Sequence, residues 1–194
     1  MLKVMAPSRA GLQRLKSGRW YLPRELGSAA TNGGMVAGVI NLTACYIPER
    51  ITVAAMGTKI GTVGPGGSCQ LASYTHNFNT GGPGLLEAYT ASMSTAVLGE
   101  ISNPPIPTNI VLEEGVHWFA LNADNATALF SVAGGQGTNY GAMIGSPVSA
   151  IGSGSAALVG LTTPGAFGTW PADLSGATFT GVMSKTPQIQ YLVG

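Results

Sequence analysis

Charge is what this sequence has least of: only 9% of its 194 residues are Asp, Glu, Lys or Arg, against roughly a quarter in an average soluble domain. Reactive groups are scarce too. The two cysteines and two histidines form no C-x-x-C pair and no H-x-x-x-H spacing, so zinc-ribbon, dithiol and metalloprotease chemistries lack their ligands. No phosphate-cradling G-x-x-x-x-G-K-[ST] and no G-x-S-x-G nucleophile turn occurs. Glu113 and Glu114 are adjacent, and neighbours in an extended segment point to opposite faces, which makes them a solvated turn before it makes them an acid/base pair. No apolar run reaches the roughly 18 residues of a membrane-spanning helix, and no apolar signal core follows the basic start. The expectations are no catalytic residue, no metal, no cofactor, no membrane insertion, and maturation in the compartment of synthesis. Cys45 and Cys69 are expected as buried free thiols, a disulfide between them requiring Cα atoms within about 7 Å.

What the chain does have is glycine (29), proline (12) and a generous supply of Val, Ile, Leu, Ala and Thr. That mixture predicts many short strands joined by tight turns in one domain with a short appendage. The most informative stretch is Leu112 to Leu121, where a Glu-Glu-Gly turn opens into Val116-His117-Trp118-Phe119-Ala120-Leu121. Both alternating faces carry bulk, which predicts a strand in the middle of a sheet and covered on both sides. Further strands are predicted over 35–46, 50–60, 68–74, 85–89, 95–101, 129–132, 156–161 and 187–193. Residues 27–34 read as a small-residue connector, 134–168 as long Gly/Ser-rich surface loops, and 169–174 as a turn. Three prolines between Asn103 and Pro107 exclude that segment from a sheet centre. The fold class expected is all-β: an antiparallel β-sandwich of jelly-roll type.

The charges that exist are segregated. Residues 1–26 hold six basic residues against one acid, net +5, whereas residues 27–194 hold three against seven, net −4. This predicts a basic N-terminal arm and linker (1–26) on a β-sandwich domain (27–194). Ser8 to Lys16 has the caps of a short helix, marginal without a surface to lie on. Clustered Lys and Arg suit a phosphate backbone, but Leu2, Met5, Leu12 and Leu15 spaced among Lys3, Arg9, Arg14 and Lys16 suit a protein surface better, so these eight are the candidate partner-binding residues and nucleic acid is disfavoured. An arm folded back on its own acidic body is the remaining alternative.

Several pieces recur, in order, in one group of proteins. They are Trp20-Tyr21-Leu22-Pro23, then Tyr46-Ile47-Pro48-Glu49-Arg50-Ile51-Thr52-Val53, Leu71-Ala72-Ser73-Tyr74, Gly82-Pro83-Gly84-Leu85-Leu86, the Leu112 to Ala120 strand, Trp170-Pro171-Ala172, and Pro187 to Leu192. On these the chain resembles the β-sandwich module of tailed-bacteriophage virion proteins, of tail-fibre-like, minor tail or head-decoration and spike type. Ala72 and His117 depart from that pattern, which has Gly and Tyr there. The resemblance implies a virion location after assembly in the host cytoplasm, other virion proteins as partners, a homo-oligomer (a trimer), and a body whose loops contact the host surface. For a host-surface glycan the exposed aromatics Phe78, Tyr140 and Trp170 are the candidate ligand-binding residues. An architectural cement or connector without a receptor, and a polysaccharide-degrading enzyme on the same sandwich, are the alternatives.

Overall fold

In a computed structural model the structure describes residues 15–22, 30–134, 160–182 and 185–194. Among these there is no helix, and two antiparallel sheets pack face to face. The first sheet is built on β2 (Ala30–Gly34), β4 (Ile51–Thr62), β8 (Gly99–Asn103), β10 (Ile110–Leu112) and β12 (Leu129–Gly134). The second is built on β3 (Val39–Ile47), β5 (Ser68–Asn77), β6 (Gly82–Thr90) and β11 (Gly115–Ala123). Spatial order is β2-β12-β4-β8/β10 in one layer and β3-β11-β5-β6 in the other. Successive strands cross from layer to layer except at the β5–β6 hairpin and where β8 and β10 share an edge of β4. This is the double Greek key of a jelly roll, and the expected fold class is what the chain adopts.

Inward rows close the sandwich. Cys45, Ile47, Leu71, Phe119 and Leu121 meet Val53, Met56, Ile60, Phe130, Ile189 and Tyr191 in one buried cluster, each fully buried Leu, Ile or Phe contributing about 1.5–3 kcal/mol. The central strand is where the sequence puts it: β11 pairs with β3 on one side and β5 on the other. The two cysteines are free and buried in this layer, and burial pushes both thiols up to about 12, with the Asp124 charge adding at Cys69.

Three departures from the sequence reading have simple causes. Residues 30–34, read as a connector, form strand β2 on the edge of β12; backbone pairing needs no side-chain signal, and this segment offers none. Trp20 and Tyr21, read with the arm, form β1 and pair with Leu192 and Tyr191 of β16 (Ile189–Val193), so the sheet begins before residue 27. The closing strand is also split. β12 and β4 part beyond the Phe130–Ile60 pair; β15 (Lys185–Pro187) runs down β12, the chain turns at Gln188, and β16 runs back up β4. Gln188 pins that fork: its N–H donates to Ser131 O, its carbonyl accepts from Thr58 Oγ1 at 2.8 Å, and its side-chain oxygen accepts from Ser131 Oγ. The remaining strands are β7 (Met93–Ser94), β9 (Pro105–Ile106), β13 (Gly160–Pro164) and β14 (Thr180–Val182). The Pro-rich β9 sits on the outer edge of β6, as its missing donors require.

The outer face of the β3-β11-β5 sheet has a core of its own. Ile40, Leu42, Tyr74, Trp118 and Ala120 are buried there because residues 165–179 cross over them as a strap. The strap is fastened at its start and past its middle: Asn122 Nδ2 donates to Gly165 O, the Leu86 N–H donates to Ala172 O, and the Leu174 N–H donates to Gly84 O. Gly165 allows the close approach, since a Cβ there would lie 2.5 Å from Ile40 Cδ1. Trp170, read as part of a turn, packs over Tyr74 with centroids 6.4 Å apart.

Candidate functional site

Among the described residues two features place a histidine beside a carboxylate-bearing residue. The first is a cleft of about 420 Å3 where β5 ends, β6 begins and the strap passes. Its position follows from the β5–β6 hairpin. Asn77 Oδ1 accepts from the N–H groups of Asn79 and Thr80, the Gly81 N–H donates to Asn77 O, and Gly81 takes φ 71°, a conformation glycine adopts without strain. Asn77 Nδ2 then donates to Ser175 Oγ at 2.7 Å, tying the hairpin to the strap. The result is a fixed turn that holds Phe78 out in solvent, 86% exposed. His76 meets the Phe78 ring edge to face at 4.9 Å, and Leu85, also exposed, adds a second apolar side chain to the lining.

His76 is oriented from below. The Trp118 indole N–H donates to His76 Nδ1 at 3.1 Å, so Nδ1 is the acceptor nitrogen and the neutral ring carries its hydrogen on Nε2. Burial lowers the His76 pKa, and protonating Nδ1 would also leave the buried indole N–H without an acceptor. Across the cleft, Asp173 accepts hydrogen bonds from the Ser175 hydroxyl and N–H, which hold its carboxyl below the usual range. The cleft therefore presents one donor, one carboxylate and two apolar side chains.

The second feature is a buried ion pair at the end of β11. His117 Nδ1 lies 3.0 Å from Glu87 Oε2, and Nε2 lies 2.9 Å from Glu113 O. Both partners accept, so the ring donates from both nitrogens and is the imidazolium. Burial alone would push His117 toward the neutral form; the Glu87 hydrogen bond and charge, with the Glu113 carbonyl and charge, outweigh it and raise the pKa. The Glu113 side chain faces solvent and pairs with Arg50 at 3.3 Å. The Glu113-Glu114 turn is thus solvated as expected, but its backbone holds the histidine.

Of the predicted ligand-binding residues, Phe78 is in the cleft. Trp170 serves as a lid on Tyr74, with its indole N–H buried and unpaired, and Tyr140 lies outside the described residues. Leu2, Lys3, Met5, Arg9, Leu12 and Arg14 of the arm also lie outside them. Leu15 packs against the body's own core and its N–H donates to Glu49, while the Lys16 N–H donates to Tyr21 Oη. Sequence reasoning missed His76 and Asp173 as site residues: one lies on β5 and the other on a strap that reads as a turn, and no local pattern joins them. Among the described residues no group of three or more His, Cys, Asp or Glu comes together to hold a metal, and no helix is long and apolar enough to cross a membrane. No family model matches the chain, and no curated protein matches its sequence.

Proposed function

We propose that this chain is a structural protein of a phage virion, fixed to the particle through residues 1–14 and displaying the jelly roll outward as a module that contributes shape and contact surface without catalysis. The observation that carries the reading is the jelly-roll strand order directly preceded by a cationic segment. Jelly rolls are a recurrent architecture of viral capsid and lectin domains, and the ordered sequence pieces that resemble phage virion proteins fall on β1, the β3–β4 turn, β5, β6, β11, the strap and β15–β16. Its partners are then other virion proteins and further copies of itself, a trimer in the form the resemblance implies. The outer face of the β4 sheet, with Trp20, Leu22 and Val111 exposed, favours a second reading as a cement or connector that contacts only neighbouring subunits.

The test is to image particles carrying the tagged full chain and a variant lacking residues 1–14. Leu15 onward is kept because it packs on the body. The expected result is that the full chain occupies discrete positions on the particle and that the truncated chain folds but is not incorporated. Normal incorporation of the truncated chain removes the anchoring role, and absence of the full chain from particles removes the virion reading. Density for a receptor-free copy clamped between capsid subunits would select the connector.

A further inference from the structure

We propose that the cleft beside Phe78 binds a pyranose ring, with Phe78 as the stacking platform, Leu85 as a second apolar contact, and His76 Nε2–H and the Asp173 carboxylate as the groups that read its hydroxyls. The biological purpose of such binding, capture of a host-surface saccharide, rests on the virion reading; the chemistry of the cleft does not.

An exposed aromatic on a loose loop is ordinary. Phe78 differs because its backbone is fixed by the Asn77 turn and its ring is held by His76. The ordering cost of a platform is therefore met before a ligand arrives, which is how rigid aromatic anchors gain affinity. A pyranose has the matching character: a face of C–H groups that lies on an aromatic ring, and hydroxyls around its rim that both donate and accept. The cleft offers one of each. Trp118 occupies His76 Nδ1, which leaves Nε2–H as the ring's donor on a residue that lines the cleft, and Asp173, a carboxylate with about four lone-pair sites, takes two bonds from Ser175 and keeps acceptor capacity beyond them. The volume falls within the range of about 300–1,000 Å3 typical of small-ligand sites. An anionic ligand is a poor match, because the lining holds a carboxylate and no lysine or arginine. An organic cation is the nearest rival, since a ring and a carboxylate attract one, but a quaternary one has no acceptor for the His76 N–H and would leave that donor unpaired.

Saturation-transfer difference NMR on the full chain decides this, using the methyl glycosides of glucose, galactose, mannose, rhamnose and N-acetylglucosamine, with choline as the cation probe. At least one glycoside is expected to bind, with saturation strongest on the C–H groups of one ring face. Phe78→Ala is expected to weaken it about tenfold, the loss of one stacking contact, and Phe78→Trp to retain it. Asp173→Asn is expected to weaken it severalfold. Phe78 is so exposed that its truncation leaves the fold intact, which unchanged backbone amide spectra would verify. No saturation from any glycoside at about 10 mM, equal binding by Phe78→Ala, or binding of choline in place of sugars would each overturn the proposal. The two readings fail separately: a sugar-binding chain absent from particles loses the virion role and keeps the cleft, and a particle-bound chain that binds no glycoside loses the cleft alone.

Discussion

The outer faces of the two sheets have opposite fates within one fold. On the β3-β11-β5 sheet the outward residues Ile40, Leu42, Tyr74 and Trp118 are fully buried, because the strap at 165–179 converts that face into a second core. On the β4 sheet the outward residues Thr52, Lys59, Val111, Gln190 and Leu192 stay half-buried or exposed, and among the described residues no segment crosses them. Jelly-roll topology is indifferent to this choice. Composition bears on it: the strapped face carries a contiguous set of large apolar residues that makes cover favourable, whereas the other mixes Thr52, Lys59 and Gln190 with Val111 and Leu192 and gains less from cover. The cleft beside Phe78 belongs to the covered side, since the strap supplies Asp173 and Ser175 and the sheet supplies His76.

The largest expected effect breaks the covered face. Trp118→Ala should cost about 3–5 kcal/mol, the range for deleting a buried large aromatic, measured by urea unfolding. Gln190→Ala on the open face should stay within about 0.5 kcal/mol. Equal costs at the two positions would mean that the strap covers nothing of consequence.

A step smaller, Leu174→Ala should cost about 2–4 kcal/mol, since Leu174 is the strap residue sunk in the outer cluster, 2% exposed. Its signature is local: hydrogen exchange should accelerate first at the Leu86 and Leu174 amides that clip strap to β6. Uniform acceleration across both sheets would show that strap and sandwich unfold as one unit.

The comparison also marks what the sequence makes legible. β11 announces its double burial because both alternating faces carry bulk, and the turns around it are glycine and proline. What covers its outer face is not legible, because the strap is irregular chain and its Trp-Pro-Ala segment reads as a turn. β2 is silent for another reason: Ala30-Thr31-Asn32-Gly33-Gly34 holds its place through backbone pairing with β12. The candidate site is half legible. Phe78 stands out as an aromatic in a Gly/Asn loop, whereas His76 depends on Trp118, 42 positions away. Glu87 depends on a bulge: Ser73 and Tyr74 are consecutive, yet they pair with Ala88 and Leu86, so Glu87 is the extra residue and departs from the period-2 pattern that would place it.

That bulge gives the third break. Glu87→Gln keeps the shape and an acceptor oxygen but removes the charge facing His117, so the imidazolium is left without its counter-charge. The cost should be about 2 kcal/mol, below the range for stranding a fully buried charge, because the pair is partly open to solvent. Glu113→Gln, whose carboxylate is exposed and whose carbonyl is unchanged, should cost under about 0.5 kcal/mol. If the two variants cost the same, the pair at Glu87 is a surface contact rather than a buried one.

The smallest effect sharpens the same point through pH. His117 has a folded-state pKa raised above its ordinary value near 6.5, so folding takes up a proton there. The stabilisation is fully present below the unfolded-state value and declines as pH rises through the folded-state one. His76 has a lowered pKa and works in the opposite direction, favouring the fold above its unfolded value and withdrawing support as pH falls through the folded one. Melting temperature should therefore fall as pH rises from the mid-6 range toward 8, by a few degrees for about 1 kcal/mol in a domain of this size. Glu87→Gln should flatten that limb and leave the acid side of the profile, where His76 and the carboxylates titrate, in place. A melting temperature that rises over the same interval in the unmodified chain would mean that His117 is neutral in the fold, with one bare ring nitrogen left against an oxygen that cannot donate to it.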